Sequence, residues 1–332
     1  MDIQNRREND GRVTVVIPNY NGIAYLKECL DSLFAGNAPA KVIIVDNGSK
    51  DGSVELLRDA YGDDDRIEII CLSENTGFCH AVNVGIRQAD TEFVFLLNND
   101  TTTSEGCLDH LVQVLDADKK IFSAAAKLIN MNFPEKLDDA GDFYSALGWA
   151  FARGKDKPTD SYQKQDRIFA SCGAAVLYRK EIFHEIGLFD ELHFAYLEDI
   201  DIGYRANIAG YRNMFVPEAV VYHAGSGVSG SRHNAFKVDL SAKNSIYLIA
   251  KNMPFLQLLL NLPFLFIGYL VKSLFFLKKG LLGVYLKGIG KGFRLSFSKQ
   301  GRENKVPFRF QNLKNYAYIQ WELWLGIFRR FF

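Results

Sequence analysis

Short apolar runs alternate with stretches in which apolar residues recur every three or four positions. Residues 13–17 (VTVVI) form a β-branched run ended by Pro18, and Ile23, Leu26, Leu30, Leu33 and Phe34 then follow at helical spacing. The same alternation continues with runs at 41–45, 66–71 and 92–97, separated by helical patterns at 53–61 and 77–89. Leu108, Leu111, Val112 and Leu115 mark one more helix. Apolar runs without a polar face, joined by helices, predict βαβ units and a mostly parallel sheet. In such a sheet ligands bind at the polar turns beyond the strand ends. Residues 130–166 lose the pattern and read as a long loop. Regular structure resumes at 168–179, then in helices from Lys180 and over 199–209, and in short strands at 214–216 and 220–223. The acidic start of the 199–209 helix suits its dipole.

After residue 230 the character changes. Residues 255–277 carry one charge, Lys272, over a length that could cross a bilayer. Gln257, Asn261 and Pro263 weaken a simple crossing. The segment 278–332 holds 12 Lys/Arg against 2 Glu, a load that one crossing would export against the positive-inside bias. An in-plane or re-entrant association is therefore expected, with a hairpin second and a buried helical subdomain as the plain structural alternative. Lys287, Lys291 and Arg294 share one helical face, opposite Leu282, Tyr285, Leu286, Ile289 and Phe293. Trp321, Trp324, Phe328, Arg329, Arg330, Phe331 and Phe332 give the interfacial mixture of aromatic and basic groups.

Overall charge sharpens this division. The chain is neutral, with 39 basic and 39 acidic side chains, yet residues 232–332 carry 17 Lys/Arg against 3 Asp/Glu. The rest, residues 1–231, carries 22 against 36. The expected organisation is an acidic body over 1–230 and a basic, apolar helical region over 231–332 that meets a membrane surface. The apolar and aromatic content of that region fits lipid better than nucleic acid. Five scattered cysteines without ligand-like spacing read as reduced thiols. The polar start MDIQNRREND has no apolar stretch, so the body is expected to stay on the cytoplasmic side.

Candidate chemistry sits at the strand ends. Pro18, Asn19, Tyr20, Asn21 and Gly22 follow the first strand, and Asp46 to Ser53 follow the second. Each alone is more simply a turn or helix cap. Asp46, ending an apolar strand, can accept hydrogen bonds from a base or ribose. Asn98, Asn99 and Asp100 end the fourth strand, where a carboxylate among amides can hold a hard cation. Glu198, Asp199 and Asp201 place three carboxylates in four positions, a group that tends to need a proton, a cation or a catalytic use. His223 ends a short strand, and there a structural histidine and a ligand are about equally expected.

The order of these clusters is more specific than any one of them. VVIPNYNG (15–22), IIVDNGSKDGS (43–53), ENTGFCHAVNVGI (74–86), LLNND (96–100), CGAAVLYRKEIF (172–183), GLFDELHFAYLEDIDIGYRANIAGYR (187–212) and VYHAGSGVS (221–229) together resemble the family 2 glycosyltransferases. These are inverting enzymes of the GT-A fold, and the likeness is greatest to their rhamnosyltransferase-like branch of bacterial surface polysaccharide synthesis. The resemblance implies that Pro18, Tyr20, Asp46 and Asn75 lie around the nucleotide, supported by Gly77 and Asn83. Asn98 and Asn99 would contact the nucleotide sugar. Asp100 matches the last acid of the family's D-x-D metal motif, whose first acid is Asn98 here. His223 matches a histidine that completes the shell of a divalent cation, Mg or Mn. Asp199 matches the general base, with Glu198 and Asp201 as neighbours that orient the acceptor. The implied partners are a nucleotide-diphospho-sugar donor, a lipid-linked glycan acceptor and the cytoplasmic face of a membrane, with no nucleic acid; a homo-oligomer stays open. The Q-x-x-R-W motif of processive synthases is absent. A nucleotidyltransferase would need a glycine-rich, arginine-containing loop where PNYNG stands. A non-catalytic glycan-binding or scaffold protein of the same pathway is the alternative, and it would have no use for the Glu198-Asp199 pair.

Overall fold

The computed structural model describes residues 11–225 and 234–329. The part of the VYHAGSGVS motif beyond Gly225 and the terminal Arg330, Phe331 and Phe332 lie outside them.

Four parallel strands form the first part of the main sheet: β1 (Val13–Asn19), β2 (Lys41–Asp46), β3 (Ile67–Cys71) and β4 (Phe93–Leu97), in the order β3-β2-β1-β4. Val15, Val16, Ile43, Ile44, Phe95 and Leu96 are fully buried, so β1, β2 and β4 are covered on both faces. Each such side chain contributes about 1.5–3 kcal/mol of apolar burial. The covering helices are α1 (Ile23–Gly36), α2 (Ser53–Tyr61) and α3 (Phe78–Gln88). A short β5 (Thr101–Thr103) leads into α4 (Cys107–Ala117).

The sheet then extends through β6 (Ile121–Asn130), β7 (Leu137–Asp139), β10 (Asp166–Ile168), β11 (Ala175–Arg179) and β12 (Arg212–His223). Beyond β4 the order is β11-β6-β12-β10. β11 runs antiparallel between β4 and β6, while β6 and β12 are parallel. This is an α/β GT-A-like sheet with a mainly parallel centre. A separate hairpin of β8 (Asp142–Tyr144) and β9 (Ala150–Ala152) stands beside it. A short α5 (Phe183–Ile186) and then α6 (Glu198–Ala209) precede β12.

Three sequence expectations change here. Residues 130–166 are not one loop: they contain β7, β8 and β9, each too short to show a hydrophobic period. Residues 168–179 split into β10 and β11 with a turn between them. The two strands expected at 214–216 and 220–223 are one strand, β12, bulged between Val216 and Val220, where Pro217 cannot donate to the ladder.

The C-terminal part is α7 (Ala235–Asn252), α8 (Phe255–Lys278), α9 (Leu282–Ser296), α10 (Lys299–Glu303) and α11 (Leu313–Arg329). Leu248, Ile249, Leu265, Ile319 and Leu323 from these helices share one buried cluster with Ala125, Phe143, Tyr204 and Phe215 of the body. The α8 helix is inside out. Its buried residues are Gln257, Asn261, Leu265 and Gly268, a single stripe at helical spacing. Gln257 accepts from the Tyr204 hydroxyl at 2.7 Å, and Asn261 exchanges two 2.8 Å hydrogen bonds with Gln320. A Cβ on Gly268 would lie 2.1 Å from the Leu147 carbonyl oxygen, so only glycine allows that approach. The opposite face is apolar and bare, with Phe255 79% and Phe266 71% exposed. The alternative of a buried helical subdomain fails for this helix. On α9 the face toward α7 is Tyr285, Gly288 and Gly292, and Leu286 and Phe293 are exposed beside Lys287 and Arg294.

Candidate functional site

The ends of β1, β2 and β4 meet through their turn residues. Asn19 donates to Asp46 Oδ1 at 2.7 Å, and the Ser49 backbone N–H donates to Asp46 Oδ2 at 2.9 Å. Asp46 is 1% exposed, fixed at the floor of this corner. Asn99 donates to Asn19 Oδ1 at 2.6 Å, so its amide braces β4 against β1. Tyr20 stands exposed above, and Pro18 is half-buried. Asn47 donates to Asn75 Oδ1 and to the Gly77 carbonyl, both at 3.1 Å, which pins the turn before α3. Gly77 has φ +93, and a Cβ there would meet the Phe194 ring at 2.6 Å.

Asn83 does not join this corner. It donates to the Phe189 carbonyl and Glu191 Oε1, both at 2.8 Å, and accepts from the Phe189 N–H at 3.0 Å. Its role is to tie α3 to the segment ahead of α6, because a buried amide must satisfy its own donors. The expectation that it lies at the nucleotide is corrected.

At the end of β4, Asp100 Oδ1 lies 3.3 Å from His223 Nε2. His223 Nδ1 lies 2.8 Å from Asp138 Oδ2, and Lys155 caps the other Asp138 oxygen. Burial pulls the His223 pKa down, but its bonds to the two carboxylates outweigh this and lift it to about 9. Burial works against ionised Asp138, yet His223 and Lys155 hold it at about 2. The donor set suits a divalent cation: Asp100 offers an oxygen, Nε2 a nitrogen, and Asp138 can hold the tautomer that leaves Nε2 free to ligate. One carboxylate is the small ligand count expected where substrate phosphates supply the rest. Asn98 replaces an acid here and adds no charge.

Asp138 and Asp139 are neighbours on β7, so their side chains point to opposite sides. Asp139 reaches Asp142, and Asp142 is hydrogen-bonded to Asp199. A continuous path of acids thus runs from Asp100 through His223 and β7 to Asp199. The two carboxylates, 99 positions apart in sequence, border one region. Burial pushes all the acids at the Asp199 end upward: Asp139 to about 7, Glu198 to about 8, and Asp142 and Asp199 above the ordinary carboxylate range. Asp139, Asp142 and Cys172 also bring ligand-type atoms within 4.8 Å of one another. Asp199 is half-buried and accepts from the Ile200 N–H at 2.7 Å, whereas Glu198 Oε2 is buried without a hydrogen-bond partner.

The approach to Asp199 is strained. Phe194, Tyr196 and Leu197 have φ of 67, 70 and 66, which costs on the order of 1–3 kcal/mol each. Asn244 of α7 holds this turn, with its amide nitrogen 3.0, 2.8 and 2.7 Å from the carbonyl oxygens of His193, Ala195 and Tyr196. Asp201 belongs elsewhere: it is fully buried against Arg205 and Lys251, so the expectation that it orients an acceptor is corrected. Asp138, Asp139, Asp142 and Asn244 were not singled out from the sequence. The run DDAGD (138–142) is the signal that could have flagged the acids.

A nucleotide-sized corner, a cation-type pair and a proton-accepting acid on a GT-A sheet define a sugar-nucleotide enzyme. Residues 14–187 match the family model Glycosyl transferase family 2, and the chain belongs to that family. It is a glycosyltransferase acting on nucleotide sugars. Among curated relatives, it is 26% identical over 235 residues to the N-acetylglucosaminyl-diphospho-decaprenol L-rhamnosyltransferase of Mycobacterium tuberculosis, covering 63% of this chain and 75% of that one. It is 24% identical over 211 residues to the poly-beta-1,6-N-acetyl-D-glucosamine synthase of Staphylococcus aureus, covering 63% of this chain and 49% of the synthase. Among solved structures, GalNAc-T7 with UDP, GalNAc and Mn2+ aligns at TM-score 0.60 and 17% identity, over 74% of this chain and 48% of that chain. The mannosyltransferase PcManGT of Pyrobaculum calidifontis, with GDP-Man and Mn2+, aligns at TM-score 0.52 and 18% identity, over 97% and 87%. At these identities the structural likeness is one of fold.

Proposed function

We propose that the protein moves a sugar, with rhamnose the first candidate, from a nucleotide-diphospho-sugar to a hydroxyl of a lipid-linked glycan, with inversion. The observation that carries this reading is the path of side chains from Asp100 to Asp199. It puts cation ligands at one end and a proton acceptor at the other. Asp46 offers its free lone pairs to the base or ribose, with Pro18, Tyr20 and Asn75 around it. Asp100 and His223 would hold Mg or Mn, which when bound offsets the negative charge growing on the departing diphosphate. The acceptor oxygen attacks the anomeric carbon from the face opposite the diphosphate. As that C–O bond forms and the bond to phosphate breaks, Asp199 takes the hydroxyl proton. The name of the mycobacterial relative supports both rhamnose and a lipid carrier.

The membrane reading rests on α8. It is long and apolar enough to cross a bilayer, with mean hydropathy 1.8, but only 17% of its most apolar window is buried. Its polar stripe is fastened to the body at four successive turns, which favours lying along the surface with the bare face in the lipid. The basic residues of 232–332 suit an anionic, cytoplasmic leaflet.

The test is a screen of the full chain against deoxythymidine-diphosphate rhamnose and uridine-diphosphate sugars, with Mn, Mg or chelator, then with lipid-linked glycans. One donor should be consumed with metal only, and the new linkage should be inverted. A chain that binds glycans yet consumes no donor is the scaffold protein instead. For the membrane, Phe266→Asp with Leu270→Asp should release the protein from anionic liposomes while leaving its melting unchanged. Retained binding rejects the α8 face.

A further inference from the structure

We propose that Asp142 is a positioning residue for Asp199: held at the start of β8, it keeps one proton and donates it to the Asp199 carboxylate, fixing which Asp199 oxygen meets the acceptor. The inference rests on the reading of Asp199 as the proton acceptor in glycosyl transfer.

The backbone fixes Asp142 first. Its N–H donates to the Ala170 carbonyl at 3.0 Å, and its carbonyl accepts from the N–H groups of Phe169 and Ala170, each at 3.2 Å. The hairpin that begins there is braced at its far end. Ala146 N–H donates to the Leu323 carbonyl at 2.8 Å, and the Trp149 indole donates to the Gly268 carbonyl at 3.2 Å. A Cβ on Gly326 would lie 2.6 Å from the Tyr144 carbonyl oxygen, so α11 meets the hairpin backbone directly. Asp142 is thus the end of a strut seated on α8 and α11.

The surroundings decide the protonation state. The titratable groups facing the pair are Asp139 from β7, Cys172 and Tyr178 at β11, Cys79 from α3 and Glu198. Each is an acid or a neutral group, and the nearby Lys155 caps Asp138 instead. Two carboxyls in hydrogen-bond contact without a cation hold a proton between them. Asp199 takes the Ile200 N–H at the positive end of α6, which favours its anion. Asp142 has no such donor and is 8% exposed, so the proton stays on it.

One Asp199 oxygen is therefore occupied by Ile200 and one lone pair by Asp142. What remains for the acceptor is a defined direction. Loss of that order raises the barrier even where the base survives.

The test is carbon-13 NMR of aspartate-labelled full chain, with signals assigned through Asp142→Asn and Asp199→Asn. It needs no substrate. In the unaltered chain Asp142 should be protonated at pH 7 and Asp199 ionised; an ionised Asp142 overturns the proposal without any variant. In Asp142→Ala the Asp199 transition should move up by about one pH unit or more, since it loses a donor to its charged form. Asp142→Asn can still donate and should titrate Asp199 within about 0.3 units of the parent. With the donor found by the screen, kcat should fall about tenfold or more in Asp142→Ala and less than about threefold in Asp142→Asn, with donor KM steady in both. Equal losses in the two variants, or an unmoved Asp199 transition in Asp142→Ala, overturn the proposal. A moved transition in a chain that consumes no donor would sink the transfer reading and leave the Asp142–Asp199 pair standing.

Discussion

One helix start separates two kinds of acidic network. Glu198 and Asp199 face Asp142 and Asp139, with no cation among them and their pKa values driven up by burial. Asp201, two or three positions on, faces the other way. It is buried between Arg205 at 3.0 Å and Lys251 at 2.8 Å, and Asn252 donates to it at 2.7 Å. Lys251 also reaches Asp190 at 2.8 Å, and Tyr247 and Asn304 complete that carboxylate. Burial raises Asp201 and Asp190, but the charges of Lys251, joined at Asp201 by Arg205, outweigh it, and both titrate below the usual range. Burial is the same in the two networks, and only the partners differ. The paired acids clamp α6 to α7; the unpaired ones retain affinity for a proton, which is what a base needs.

The strongest way to break the contrast is at its reactive end. Asp199→Asn should lower kcat by about 10²–10⁴, the usual worth of a positioned base, while nucleotide binding in Mn stays within error. Isothermal titration beside turnover separates the two, and substantial retained activity would put the proton elsewhere. On the paired side, Lys251→Met leaves two buried carboxylates short of a cation and should cost about 3–5 kcal/mol in urea unfolding. The sign with pH follows from the lowered folded pKa values. The contribution is complete above the unfolded carboxylate pKa near 4 and fades as pH falls through the folded values. The gap between parent and variant should therefore close in acid; a gap constant to low pH would show that Lys251 acts by packing alone.

The strand ends were legible because apolar runs stop where chemistry begins: Asp46, Asp100, Asp199 and His223 all follow a run or open a helix. Asp138, Asp139 and Asp142 were not. Their strands are three residues long, below any period, and they read as loop. Asp201 was misread because its cation lies 50 residues away, and nothing local reveals Lys251. Asn83 looked like a ligand-binding amide for the same reason, as Phe189 and Glu191 are remote in sequence. In α8, Gln257 and Asn261 argued against a simple crossing, and they are the docking face itself. Contacts distant in sequence decided each case that local pattern could not.

A smaller effect should appear where the reactive network meets the cation ligands. Asp138→Asn keeps the shape beside His223 but removes the charge that sets its tautomer. Second-shell changes of this kind cost about 10–100-fold in metal affinity. Mn titration followed by electron paramagnetic resonance reads this directly, with Asp201→Asn as the control from the paired network. If Mn affinity is unchanged in Asp138→Asn, the two nitrogens of His223 are not working as ligand and anchor.

The mildest test asks whether unpaired charge has a cost in the resting fold. Glu198 is protonated up to about 8, well above its unfolded value near 4.3, because burial and then the Asp199 charge disfavour its anion. A carboxyl raised on folding binds its proton more tightly in the native state. Its contribution is full below the unfolded value and is lost as pH rises through the folded one. Stability of the parent should thus decline between about pH 4.5 and 8 through this group, the reverse of the Asp201 slope. Glu198→Gln cannot ionise, so its decline over that window should be shallower and its melting temperature at pH 8 at least equal to the parent's. Matching slopes in thermal melts from pH 5 to 8 would mean that Glu198 finds a partner for its charge, and the division between the two networks would then begin at Asp199 alone.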